Sequence, residues 1–345
     1  MNTEQTVLYR KYRPQKFAEV FGQDHVVKVL QGSLELGNIG HAYLFSGPRG
    51  TGKTSIARIF ANELGCSEND IIEIDAASNR GIDDIRALRE AVLSRPFDSE
   101  YKMYIIDEVH MLTKEAFNAL LKTLEEPPSH VIFVLATTEL HKILPTVVSR
   151  CQSFVLKSPT RAILRDMISG MVEKEGFTID TESLDIISFL GNGSFRDTQG
   201  VLQKLISYST DKKLTRDETE LITGAPAQSL LQDFVTALNE KDIDSLLVLI
   251  RKASSSNIDA HIFLQMLTEK IRTILRLRFS EKMHSEIKEE IGNDEFSFLL
   301  SFAKEKNEIN AKLLSELLNV YADMQYAFIK YLPLELSLFR LFEEK

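Results

Sequence analysis

Gly47-Pro48-Arg49-Gly50-Thr51-Gly52-Lys53-Thr54 fills every fixed position of the pattern Gly-x-x-x-x-Gly-Lys-Ser/Thr. The apolar run Ala42-Tyr43-Leu44-Phe45 leads into it, and Ile56, Ile59, Phe60 and Leu64 follow at helical spacing. Strand, glycine-rich turn and helix in that order predict an α/β sheet domain with a phosphate-binding loop. Glycines let the backbone wrap closely enough for several N–H groups to converge on phosphate oxygens. The helix N-terminus adds partial positive charge. Lys53 can reach the outer phosphates, and the Thr54 hydroxyl, with Ser55 beside it, faces the same ligand, where Thr54 can hold Mg²⁺. A chance glycine turn would explain the motif but not the strand and helix around it.

The chain has 345 residues, 43% of them hydrophobic, enough for two or three domain cores. No stretch approaches the roughly 20 apolar residues that span a bilayer. Met1-Asn2-Thr3-Glu4-Gln5-Thr6 lacks the basic start and apolar run of a signal peptide. Two cysteines, Cys66 and Cys151, make no disulfide framework, so a reducing cytoplasm is expected. A net charge of −9 argues against indiscriminate nucleic-acid binding while allowing a local basic patch. Arg10, Lys11, Arg13 and Lys16 crowd the start; Glu286, Glu289, Glu290, Asp294 and Glu295 gather late.

Along the chain, Tyr12, Arg13, Pro14 and Val20 suit either the rim of a base pocket or a solvated basic arm. Ile71–Asp75 forms a short strand pattern, and Ala76-Ala77-Ser78-Asn79-Arg80-Gly81 is a loop before a helix with Ile85, Leu88 and Val92 inward. That helix start, with Arg80, could hold a nucleic-acid phosphate or be an ordinary solvated terminus. Met103-Tyr104-Ile105-Ile106-Asp107-Glu108 is an apolar strand ending in two carboxylates, where α/β sheets bind ligands. Asp107 is expected in the Mg²⁺ shell, and Glu108 to orient and deprotonate an attacking water. Thr113 opens an amphipathic helix that Pro127-Pro128 ends. The strand Val131–Leu135 closes on Ala136-Thr137-Thr138, and Arg150 precedes a last strand at Phe154-Val155-Leu156. Residues 160 to 222 are mostly helical, with Ser194 an N-cap and Arg196 in the following first turn. From about 225 onward the pattern is helical, in four stripes; the last joins Leu314, Leu317, Tyr321, Met324 and Phe328.

Together these phrases resemble the AAA+ clamp-loader ATPases. The likeness runs through 9–26, 41–61, 74–90, 102–138 and 144–151, and rests on Ile74-Asp75-Ala76-Ala77-Ser78 and Asn118-Ala119-Leu120-Leu121-Lys122-Thr123-Leu124-Glu125-Glu126-Pro127-Pro128 more than on the phosphate loop. It covers the final third by architecture only. The resemblance implies a P-loop AAA+ domain (five parallel strands flanked by helices) at 1–159, a small helical lid at 160–223 and an all-α collar at 224–345. It makes Lys53, Asp107, Glu108, Thr138, Arg150 and Arg196 the catalytic set: Thr138 the first sensor, Arg150 a finger to the neighbouring subunit's ATP, Arg196 the second sensor. Tyr12, Arg13, Pro14 and Val20 become the base-pocket rim, Arg80 a DNA contact, and the segment around Pro96-Phe97 a clamp contact. ATP and Mg²⁺ are the implied ligands. The implied partners are other loader subunits of the delta and delta-prime kinds, further copies of this chain, a sliding clamp and primer–template DNA.

The family's four-cysteine zinc module shrinks here to Gly65-Cys66-Ser67-Glu68-Asn69-Asp70, with Cys66 alone of the ligands, so no zinc is expected. The chain is also expected to lack the extension of the family's long form. The rival readings are a non-hydrolysing scaffold subunit of the same assembly and another AAA+ DNA machine, such as a branch-migration helicase.

Overall fold

The computed structural model describes residues 7–304 and 308–343; Met1–Thr6, read above for a leader, lies outside them. Two compact units result: one holds the chain up to Gly176 together with Ile187–Gln203, the other Phe177–Ile186 and everything from Lys204 onward.

The first unit starts with the short helix α1 (Leu8–Lys11) and α2 (Asp24–Glu35), then β1 (Ala42–Ser46), α3 (Lys53–Glu63), β2 (Ile71–Asp75), α4 (Ile82–Val92), β3 (Lys102–Asp107), α5 (Lys114–Glu125), β4 (Val131–Thr137), α6 (Pro145–Val148), β5 (Gln152–Val155) and α7 (Arg161–Lys174). The five strands are parallel in the order β2-β3-β4-β1-β5. Alternate strand residues face opposite layers, as a period of two requires. Tyr43, Phe45, Met103, Ile105, Ile132 and Val134 pack with Ile56, Ile59 and Phe60 of α3. Leu44, Tyr104, Ile106, Phe133 and Leu135 pack with Leu88 of α4 and Phe117 and Leu120 of α5. Thr113 caps α5 as its sequence predicts, its Oγ1 accepting the Ala116 N–H at 3.2 Å.

The last strand starts two residues before the expected Phe154, because Gln152 and Ser153 pair with Tyr43 and Leu44. This edge strand is largely exposed, so apolar residues do not mark its beginning.

The shortened connection after α3 is held by Asp70, fully buried. Its carboxylate accepts the N–H groups of Phe97 at 2.6 Å, Asp98 at 3.0 Å and Ser99 at 3.0 Å, and the Ser67 hydroxyl at 3.0 Å. Burial alone would raise its pKa, but these bonds outweigh it and hold the carboxyl far below the usual range. Asp70→Ala orphans three N–H groups and is expected to cost about 3 kcal/mol of unfolding free energy. The folded pKa is depressed, so this stability is complete above the unfolded pKa of about 4 and is lost as pH falls toward the folded value. Urea denaturation of both proteins should give a gap that is flat near neutral pH and narrows only below about pH 4. A gap closing near neutrality would refute the assignment. Next to Asp70, Cys66 is buried, and burial with the Asp70 charge pushes its thiol up to about 11, so it is protonated at neutral pH.

Two further helices, α8 (Thr181–Leu190) and α9 (Phe195–Tyr208), run across the division between the units. The second unit contains a two-stranded parallel pair, β6 (Thr178–Ile179) with β7 (Lys213–Leu214), which the helical reading of 160 to 222 did not anticipate. Two residues per strand are too short to carry a periodicity. Then follow α10 (Arg216–Thr223), α11 (Gln228–Glu240), α12 (Ile243–Ser255), α13 (Ala260–Phe279), α14 (His284–Ile291), α15 (Asn293–Ala303), α16 (Ala311–Asp323) and α17 (Leu332–Glu343). One core joins α11 to α17 around Leu231, Phe234, Phe263, Leu267, Ile274 and Leu317. Phe328 leaves the fourth stripe: α16 ends at Asp323, and Phe328 is 91% exposed. Of the acids gathered late in the chain, Glu295 is buried, ion-paired with Lys270 and bonded to Gln228 and Gln232. No helix among the described residues is long and apolar enough to cross a membrane.

Candidate nucleotide site

The phosphate loop joins β1 to α3 at the carboxyl end of the sheet, with Gly52 as the left-handed N-cap of the helix (φ 97°). Two glycines are sterically required. Gly47 has φ 149°, and a Cβ there would stand 2.4 Å from the Leu156 carbonyl oxygen. Gly50 has φ 73°, and a Cβ would stand 2.0 Å from Ser194 Oγ. The loop is therefore packed against the start of α9, where the Phe195 N–H donates to the Gly50 carbonyl at 2.9 Å. Ser194 Oγ accepts the Asp197 N–H at 3.2 Å, which makes it the N-cap its sequence predicts and puts Arg196 in the first turn.

Lys53 is buried, and its ammonium donates to the Gly47 and Pro48 carbonyls at 2.9 Å each. Burial lowers its pKa, Glu108 and Asp107 oppose that, and Arg196 adds to the lowering. Thr51 Oγ1 donates to the Pro48 carbonyl at 2.9 Å. The Thr54 hydroxyl donates to Asp107 Oδ2 at 2.7 Å, bringing together the two groups assigned to Mg²⁺. A hydroxyl and a carboxylate oxygen beside a phosphate cradle fit a hard cation that keeps most of its waters.

Glu108 follows β3 in the left-handed region (φ 48°, ψ 42°), rare for a side chain and worth about 1–3 kcal/mol of strain. Its N–H donates to Asp107 Oδ1 at 2.9 Å. The Thr138 hydroxyl, just past β4, donates to Glu108 Oε2 at 3.1 Å. Arg13 Nε donates to Ser55 Oγ at 3.1 Å, and burial first, then Arg58, lowers the Arg13 pKa. Tyr12 donates to Glu175 Oε1 at 2.5 Å; burial and then that bond raise its phenol to about 12. Pro14 and Val20 are half-buried, Val20 against the core beneath α2 and α3.

The structure thus gathers the phosphate loop, Asp107, Glu108, Thr138, Arg13 and Arg196. It does not bring Arg150 or Arg80 into that group. Arg150 bonds Glu125 Oε1 and the Thr146 carbonyl, both at 2.6 Å. Arg80 is exposed, and its carbonyl accepts the Thr113 N–H at 3.0 Å. Three participants went unread in the sequence: Tyr9, whose ring centroid lies 5.7 Å from the Arg196 guanidinium; Glu175, which anchors Tyr12; and buried His110 beside Glu108. The phrase Asp107-Glu108-Val109-His110 was the available signal for the last of these.

A five-stranded parallel sheet with a phosphate loop, strand-end carboxylates and a helix start against the loop define an AAA+ P-loop protein. In agreement, RuvB from Thermotoga maritima, the Holliday junction branch migration motor, has the same fold at TM-score 0.53 and 19% identity, covering 80% of this chain and 98% of that one. A family model for the DNA polymerase III delta subunit matches residues 22–81 and 69–160, and one for domain III of DNA polymerase III subunits gamma and tau matches 214–345. DNA polymerase III subunit gamma of Buchnera aphidicola subsp. Acyrthosiphon pisum is 33% identical over 97% of this chain and 98% of its own length. DNA polymerase III subunit tau of Bacillus subtilis is 39% identical over 91% of this chain and 58% of its own, and the gamma/tau subunit of Mycobacterium tuberculosis H37Rv 39% over 79% and 51%. The chain belongs to the DNA polymerase III gamma/tau family. It spans little more than half the length of the Bacillus and Mycobacterium relatives.

Proposed function

We propose that this chain is an ATP-hydrolysing clamp-loader subunit of a DNA polymerase III holoenzyme. The observation that carries this reading is the convergence on one loop of the Thr54–Asp107 pair and the Glu108–Thr138 pair. In this reading Lys53 and the loop N–H groups bind the ATP phosphates, and Thr54 and Asp107 hold Mg²⁺. The ion supplies positive charge to the phosphate oxygens as negative charge builds there. Glu108 takes the proton of the attacking water, and Thr138 keeps Glu108 in place. Arg196, on a lid comprising 160–223, senses the γ-phosphate, and Arg150 serves the site of the adjacent subunit. Residues 224–345 form the collar that joins subunits of the delta and delta-prime kinds and further copies of this chain.

DNA is held through phosphates, with Arg80 a contact, so binding is salt-sensitive and indifferent to sequence. The sliding clamp docks near Phe97, which is 78% exposed, and Leu93, 73% exposed. Intact Lys53, Thr54, Asp107 and Glu108 oppose the scaffold reading. The deciding measurement is ATPase activity of the chain, assembled with its loader subunits, on primed DNA with and without the cognate clamp. Strong stimulation by both is expected. No hydrolysis would leave the scaffold reading, and DNA unwinding without a clamp would leave the helicase one.

A further inference from the structure

His110 lies in the turn after Glu108, with its side chain 6% exposed, and faces two carboxylates. Nδ1 is 3.0 Å from Thr137 Oγ1 and 3.4 Å from Glu108 Oε2. Nε2 is 3.4 Å from Glu139 Oε1. Thr137 is fully buried, and its Oγ1 also accepts the Glu139 N–H at 3.0 Å. Glu139 is tied in turn to Lys142 at 2.8 Å and stands 3.6 Å from His141.

We propose that His110 is a positioning residue for ATP hydrolysis, sharing one ring N–H between Glu108 and Glu139. This rests on Glu108 being the base. A neutral imidazole has one donor and one acceptor nitrogen, and the hydrogen bond made by one fixes the other. With the proton on Nε2, His110 donates to Glu139 while Nδ1 accepts from the Thr137 hydroxyl, and Thr138 alone restrains Glu108. With the proton on Nδ1, His110 donates toward Thr137 and Glu108 Oε2, the oxygen that already accepts from Thr138. Glu108 is then anchored twice at Oε2, and Oε1, which makes no hydrogen bond among the described residues, is left to accept the proton of water. Glu139 favours the first state and so opposes the second. Its backbone is the direct continuation of Thr138, so a movement of the segment beyond β4 reaches the base through His110 as well as through Thr138.

The two sides of the ring therefore have opposite effects on rate, which separates positioning from a merely structural role. In the assembled loader with DNA and clamp, His110→Ala should lower kcat about tenfold with ATP affinity unchanged, since a displaced reacting group costs rate rather than binding. His110→Gln retains a donor and should recover most of the loss. Glu139→Gln can donate to Nε2, favours the proton on Nδ1 and should raise kcat about twofold. Wild-type kcat in His110→Ala, loss of ATP binding in both His110 variants, or a fall in kcat in Glu139→Gln overturns the proposal. If the wild-type assembly does not hydrolyse ATP, or Glu108→Gln hydrolyses it normally, the assignment of the base fails instead.

Discussion

Glu108→Gln is expected to bind ATP with near wild-type affinity and hydrolyse it about 10³-fold more slowly, the middle of the range for losing a general base. Gln is isosteric with Glu and still accepts the Thr138 hydroxyl, which now stands 3.1 Å from Oε2, so the site keeps its shape. What it loses is the charge that takes a proton in the proposed mechanism. Affinity should survive because the groups assigned to phosphate and Mg²⁺ are separate: Lys53, the loop N–H groups, Thr54 and Asp107. A binding titration beside single-turnover hydrolysis checks both halves. Asp107→Asn serves as the contrast. It weakens the pair with Thr54 and should reduce Mg²⁺-dependent affinity as well as rate. If Glu108→Gln lost affinity to the same degree, Glu108 would belong to the metal shell and the base would have to be sought elsewhere.

The sheet domain was legible because its signals are local and redundant. The phosphate loop has a fixed spacing, each central strand carries an apolar run of four to six residues buried on both faces, and Thr113 and Ser194 cap helices by bonds to residues three positions on. What stayed hidden depends on long-range contact. Gln152 and Ser153 are polar, yet pair with β1 because Tyr43 and Leu44 offer a free ladder. Asp70 looks like one more surface acid until the chain brings Phe97, Asp98 and Ser99 over it. Arg196 could be assigned to a helix start, but nothing local says that this start lies against Gly50 or that Tyr9 stands beneath it. His110 carries no pattern of its own beside two acidic neighbours; its meaning comes from Thr137 at the end of β4 and Glu139 two residues beyond it. Phe328 failed in the opposite sense, since helical spacing continued in the sequence after the helix had stopped.

Arg150→Ala is the second large effect, and its signature is that it appears only on assembly. The Arg150 guanidinium is held by Glu125 and the Thr146 carbonyl, with the two charged side chains 33% and 46% exposed. An ion pair that open to water is worth at most about 1 kcal/mol, so Arg150 can leave Glu125 for a phosphate at little cost. A finger supplied in trans contributes to the transition state of the neighbouring site and leaves its own chain's nucleotide untouched. The isolated Arg150→Ala chain should therefore bind and slowly hydrolyse ATP as the wild type does. In the assembled loader, DNA- and clamp-stimulated hydrolysis should fall by about 10³-fold. Mixing the two variants makes the test sharper. On the proposed assignment Glu108→Gln subunits retain the finger and Arg150→Ala subunits retain the base, so an interface between one of each has a complete site. Activity in the mixture above that of either variant alone is the expected result. A mixture no better than its components, or an Arg150→Ala chain that no longer binds ATP, would put Arg150 in service of its own site and leave the interface without its finger.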